Sequence, residues 1–81
     1  MDNQKLEKKI REVLSVILDI DIGEVTKELH LDNTPNWNSL NHLRITVELE
    51  NEFSIQLEPA VIAEIIDYPS IVETVIKLTQ K

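Results

Sequence analysis

Ser39 and His42 come first, because a hydroxyl and an imidazole three residues apart share one face of a helix. Such a pair could serve as nucleophile and base. Acyl-transfer chemistry of that kind also needs an acid to orient the imidazole and donors to hold the oxyanion. Neither is evident around residues 36–43, so a small hydrolase built on Ser39 ranks third among the readings. The other histidine, His30, sits between Leu29 and Leu31 and is expected to be a surface or partly packed side chain. No group of His, Asp and Glu has the tight spacing of a metal site, and there is no cysteine to supply a thiolate. With a single glycine, Gly23, there is no glycine-rich phosphate loop. Neither catalysis nor a metal is expected.

Ser39 keeps two other roles. It stands where a long loop meets an apolar helix, so its oxygen could cap an orphan backbone N–H there. Asn38 is an equally good cap. Alternatively, Ser39 is an exposed hydroxyl awaiting modification. A phosphate at that point would meet the free N–H groups and positive dipole end of the helix.

The elements that position this junction follow from apolar spacing. Leu6, Ile10, Val13, Leu14 and Ile17 recur at helical intervals and predict a first helix over residues 3–18. Turn formers then dominate residues 19–36, with Ile20, Ile22, Val25, Leu29 and Leu31 scattered among them to pin the loop across the fold. A loop of this length in so small a domain is often functional. A short helical turn is expected over residues 24–28. A second helix is predicted over residues 39–52. Asn41, Arg44, Glu48, Asn51 and Glu52 form its polar arc, and Leu40, Leu43, Ile45, Val47, Leu49 and Phe53 fill the remainder. So wide an apolar arc predicts a central helix packed on several neighbours, with core packing the default role of these residues.

Pro59 suits the first turn of a short third helix, residues 59–66, with Val61, Ile62, Ile65 and Ile66 on its buried side. Pro69 should interrupt before a fourth, residues 70–79, where Ser70 and Glu73 have capping-box spacing. β-Branched residues make strand the competing assignment here, but helical spacing with few turn signals favours helix. The expectation is an all-α four-helix bundle, with three longer helices, one short helix and a long loop between the first two.

Eighty-one residues, with no internal repeat or low-complexity tract, predict a single domain over residues 1–81. A chain this small buries only roughly 60% of its unfolded surface, which leaves little room for a deep cleft. Residues 1–11 carry a net charge of +2, residues 12–76 set thirteen acids against Lys27 and Arg44, and Lys77 and Lys81 close the chain. The acidic body would repel a phosphate backbone, so nucleic acid is not an expected partner. It would steer the domain toward basic protein surfaces, although solubility explains the same charge. The charged N-terminus has no apolar core of a secretory signal, and no apolar run approaches a membrane span. These features, and the absence of cysteine, predict a cytoplasmic protein that inserts into no membrane. Nothing in the sequence calls for an oligomer, so a monomer is expected.

The stretch Trp37-Asn38-Ser39-Leu40 resembles the Asp-Ser-Leu signature that opens the second helix of acyl and peptidyl carrier proteins. Glu50-Asn51-Glu52-Phe53, Glu58-Pro59-Ala60 and Asp67-Tyr68-Pro69-Ser70-Ile71 resemble that family's later landmarks, so the likeness covers nearly the whole chain. The resemblance implies an acyl-carrier-like fold and a 4'-phosphopantetheine arm on Ser39, flanked by Asn38 and Leu40. A phosphopantetheinyl transferase would install the arm from coenzyme A. An acyl or aminoacyl group would then ride on it as a thioester between a loading enzyme and downstream acyl-transfer enzymes. Docking would use the second helix and the preceding loop, through Trp37, Asn41, Arg44, Glu48, Asn51 and Glu52.

Two departures stand out. Asn38 replaces the family's aspartate, and Asn41, Arg44 and Asn51 dilute a docking helix that is usually acidic. They point away from the general carrier of fatty acid synthesis, toward stand-alone carriers of polyketide, peptide or surface-polysaccharide pathways. The alternative is a carrier-fold interaction module that is never modified, in which Ser39 is only a helix cap.

Overall fold

In a computed structural model, which describes residues 3–80, the chain forms four α-helices and two short 3-10 turns. The helices are α1 (Asn3–Leu18), α2 (Ser39–Phe53), α3 (Pro59–Glu64) and α4 (Tyr68–Thr79). Helix α1 has the predicted bounds and buries Leu6, Ile10, Leu14, Ile17 and Leu18 on one stripe. These meet Ile45, Leu49 and Phe53 of α2, and Tyr68, Ile71 and Val75 of α4. The result is a helical bundle with one apolar core, as the periodicity requires. Asp2 and Lys81, which enter the charge count at the chain ends, lie outside the described residues.

The long loop is pinned through buried Val25 and Leu29, with Ile20 and Leu31 partly packed against the core, whereas Ile22, expected among them, is exposed. The turns of the loop differ from the expectation. The first spans Ile22–Glu24, not residues 24–28, and a second, unanticipated one spans Leu31–Asn33. The second has its own cap: the Asp32 N–H donates to His30 Nδ1 at 2.9 Å, and the His30 N–H donates to Asn33 Oδ1 at 3.0 Å. That assigns His30 a local structural role. The loop is tied to the α3–α4 connection by the Leu31 N–H to the Ile66 carbonyl, 2.8 Å, and the Tyr68 N–H to the Leu29 carbonyl, 3.1 Å.

Those bonds explain two corrections. Helix α3 stops at Glu64 because Ile65 turns into the core while the next carbonyl, on Ile66, serves the loop. Ile66 is exposed, not buried. Helix α4 starts two residues before the predicted Ser70. Its cap is Asp67, whose carboxylate accepts the Ser70 N–H at 2.9 Å, and the capping box is Asp67 with Ser70 rather than Ser70 with Glu73. Pro69 sits inside the first turn, where a missing N–H removes no helical bond.

A third correction concerns α2. The helix is central, but its apolar arc is not all core. Ile45, Leu49 and Phe53 are buried, whereas Leu40, Leu43 and Val47 are exposed. Among the described residues, no helix is long and apolar enough to cross a membrane.

Candidate functional site

The junction between the loop and α2 is fixed by a chain of local hydrogen bonds. The Trp37 N–H reaches the Thr34 carbonyl at 3.0 Å, and the Asn38 N–H reaches the Asn36 carbonyl at 3.1 Å. Asn36 also donates its side-chain amide to the Leu18 carbonyl at 2.9 Å. One loop residue thereby closes the end of α1 and sets the start of α2. Asn38 has extended backbone, and its Oδ1 accepts the Asn41 N–H at 2.9 Å. Asn38 is therefore the cap, which decides between the two candidates left open by the sequence. Ser39 is the first residue of the helix proper and is exposed.

Behind this outward serine stands a buried support. Trp37 is only 4% exposed, so it is not part of the outer face where a docking residue was expected. Its Nε1–H donates to His42 Nδ1 at 2.9 Å, and the two rings stack with centroids 6.1 Å apart. Because Nδ1 accepts that hydrogen, the neutral His42 ring carries its proton on Nε2. That N–H then donates to the Ile62 carbonyl of α3 at 2.8 Å. His42 thus fastens the loop, α2 and α3 together. Both of its nitrogens are engaged, and neither is left to take a proton from Ser39. The geometry removes the hydrolytic pair that the spacing suggested.

The remaining expected residues lie on the outside of α2. Leu40 is exposed beside Ser39. Asn41 donates to the Asn36 carbonyl at 2.7 Å and accepts from Arg44 Nη1 at 3.1 Å, so the exposed Arg44 is held against the loop. Glu48, Asn51 and Glu52 are exposed, and Glu52 pairs with Lys9 of α1 at 2.9 Å. At half-exposed sites this ion pair contributes little to stability. Ser39, Leu40, Arg44 and Glu48 therefore belong to one outward region, with Glu52 at its far end.

Between α1 and α2 lies a groove of about 580 Å³, floored by Val13, Val16 and Ile17 on one side and Leu40, Leu43 and Val47 on the other. The α1 side of this groove was not anticipated. Its signal was present in the sequence: Val16 falls outside the core stripe of α1, an apolar residue on a polar face.

With this geometry in view, one relative is informative. The chain is 34% identical over 59 residues to polyketide-8 synthase acyl carrier protein 2 of Streptomyces avermitilis, a match covering 73% of this chain and 68% of the relative. The chain belongs to the acyl carrier protein family. No protein-family model matches it. The all-helical bundle agrees with that membership. Members of the family carry cargo for enzymes and are not enzymes themselves. Asn38 now has a physical reading too. In the family signature this position is an aspartate, and an asparagine oxygen caps α2 in the same way without the charge.

Proposed function

We propose that Ser39 is the attachment point of a 4'-phosphopantetheine arm, and that residues 1–81 act as one carrier domain in the cytoplasm. The observation that carries this reading is an exposed serine hydroxyl in the first turn of α2, one residue past a cap that does not need it. A phosphodiester fits there. The N–H groups of Ser39 and Leu40 precede the first residue with an intrahelical acceptor, and the helix dipole favours an anion at this end. Asn38 places no like charge beside the phosphate. When bound, the arm supplies a thiol on which an acyl or aminoacyl group is held as a thioester.

In loading, the Ser39 hydroxyl attacks the phosphorus of coenzyme A that bears the pantetheine. An Oγ–P bond forms, the bond to the nucleotide half breaks, and the hydroxyl proton is lost. The base for that step belongs to the transferase, because His42 is fully engaged by Trp37 and Ile62. The Trp37–His42–Ile62 linkage holds the junction while the outward face is presented to a loading enzyme and then to downstream acyl-transfer enzymes. The name of the Streptomyces relative supports polyketide assembly as the pathway class.

The second reading, an unmodified interaction module, draws on Asn38. Its neutral side chain removes a carboxylate that a transferase could require. Intact-mass measurement after incubation with coenzyme A, magnesium and a broad-specificity phosphopantetheinyl transferase separates the two. The expected result is a gain of one phosphopantetheinyl group, absent in Ser39→Ala. No gain with several transferases would leave the unmodified module as the function.

A further inference from the structure

We infer that the face of α2 beside Ser39 docks a protein surface of one kind: an apolar ridge, as of an amphipathic helix, that carries a carboxylate opposite Arg44. This rests on the attachment proposed above for the reason a partner comes to this face, and adds the chemistry by which the partner is chosen. The charge of the whole chain, −7, points to basic partners. The charge around Ser39 does not. All 15 acids lie outside residues 33–47, the longest stretch of the chain without a carboxylate. Ser39 lies near its middle, and Arg44 is its one lysine or arginine.

The fold turns this stretch outward. Leu40 is 68% exposed, Leu43 57% and Val47 52%, and Val16 of α1 extends them across the groove at 77%. Single exposed apolar residues are ordinary, but four on one groove make a floor that a partner's apolar ridge can cover. Arg44 stands at its edge. Arg44 Nη1 donates to Asn41 Oδ1, a neutral acceptor, at 3.1 Å, and among the described residues it pairs with no carboxylate. Glu48 is one turn on, but a cation placed N-terminal to its acid is the weaker order along a helix. Glu52 is taken by Lys9 at 2.9 Å. The guanidinium is therefore positioned but not neutralised.

Covering the floor brings a partner against Arg44. An apolar cover would strip water from the guanidinium without replacing its hydrogen bonds, and a lysine would meet a like charge. A carboxylate supplies acceptors and the opposite charge together. It belongs at the Ser39 end, where the helix dipole has the same sign as Arg44, and not further along α2, where Glu48, Glu50 and Glu52 follow. Acids elsewhere on the domain repel such a surface and so orient its approach. The N-terminal half of α1 also exposes cations, Lys5, Lys8 and Arg11, but no large apolar side chain is exposed there. It offers charge without a floor.

Two synthetic amphipathic helices with the same leucine ridge, one flanked by glutamates and one by lysines, test this by amide NMR titration of the unmodified full chain. The glutamate peptide should shift the amides of Leu40, Leu43, Arg44 and Val47, and should bind there several-fold more tightly than the lysine peptide. In Arg44→Gln this preference should be lost, and in Arg44→Glu it should reverse. Arg44 is exposed, so both variants should keep the fold, which far-UV circular dichroism checks. Equal or tighter binding of the lysine peptide at residues 40–47 of the parent would overturn the inference. So would glutamate-peptide shifts centred on Lys5, Lys8 and Arg11, or no shift from either peptide. None of these outcomes depends on the arm. The attachment reading fails separately, on intact mass, and absence of the mass gain would leave the measured peptide preference standing.

Discussion

Replacing His42 by alanine removes the acceptor of a buried donor and the link from α2 to α3 in one step. In the variant the Trp37 Nε1–H, in a side chain 4% exposed, faces a void instead of His42 Nδ1. An unsatisfied buried donor costs about 1–3 kcal/mol, and the lost ring stack adds about 0.5–1.5 kcal/mol. The Ile62 carbonyl sits in a half-buried residue and is expected to recover a water partner, so it adds little. The expected loss is about 1.5–4.5 kcal/mol. With a urea slope of about 1 kcal/mol/M for a domain this small, the unfolding midpoint should fall by at least about 1.5 M.

Urea titration followed by far-UV circular dichroism measures that shift, and the fluorescence of Trp37 provides an independent probe. Trp37→Phe/His42→Leu removes donor and acceptor together and should destabilise less than His42→Ala, because no buried polar group is then stranded. A loss below about 0.5 kcal/mol for His42→Ala, within the range of an ordinary surface substitution, would refute the fastening role. A catalytic His42 would show the opposite pattern. Stability would hold, while turnover of simple thioesters by the pure protein, expected to be nil in the parent, would be present in the parent and lost in the variant.

Three further outcomes follow from the same geometry. Ser39→Ala should cost less than about 0.5 kcal/mol whereas Asn38→Ala should cost about 1 kcal/mol, because Asn38 is the residue that caps α2; equal losses in urea titration would contradict this. The Ser70 hydroxyl first, and then its backbone N–H, hold the Asp67 carboxyl below the usual carboxylate range; partial burial opposes them and a smaller pull from His30 assists. Because the folded-state value is the depressed one, this contribution is complete above the ordinary aspartate value near pH ~4 and is lost as pH falls through the lower folded value; Asp67→Asn should flatten the acid limb of stability against pH. Arg44→Glu should raise kcat/KM with enzymes that normally serve acidic carriers, and unchanged kinetics would place docking on another face.

The parts of the fold that were legible in the sequence are those set by one chain segment at a time. Leu6, Ile10, Leu14 and Ile17 fix α1 by spacing alone, and the turn formers before Asn38 leave Ser39 as the natural start of α2. The parts that were not legible depend on partners distant in sequence. The start of α4 is ambiguous because Asp67 with Ser70 and Ser70 with Glu73 both have cap spacing. Only the observed Ser70 N–H to Asp67 bond selects the first. The fate of Leu40, Leu43 and Val47 is of the same kind. A helical wheel gives an apolar arc its width, but the neighbouring helices decide how much of the arc is covered. Helix α3 has only six residues and meets the start of α2 at His42, on the side away from the groove.

The first turn of α2 therefore divides its tasks by direction. Inward, His42 engages both ring nitrogens, with Trp37 and Ile62, and so ties this part of the helix to the loop and to α3. Outward, Ser39 has no structural duty, because Asn38 takes the cap and Asn36 and Asn41 organise the loop. A residue relieved of every local task yet held on a fixed frame is well suited to bear a group that other proteins must find. The same frame fixes Arg44, through Asn41 to the Asn36 carbonyl, beside an apolar stripe that begins at Leu40. Ser39, the groove and Arg44 thus stand in one register set by the loop, and a change at Asn36 or Asn41 would move all three relative to one another without touching the core.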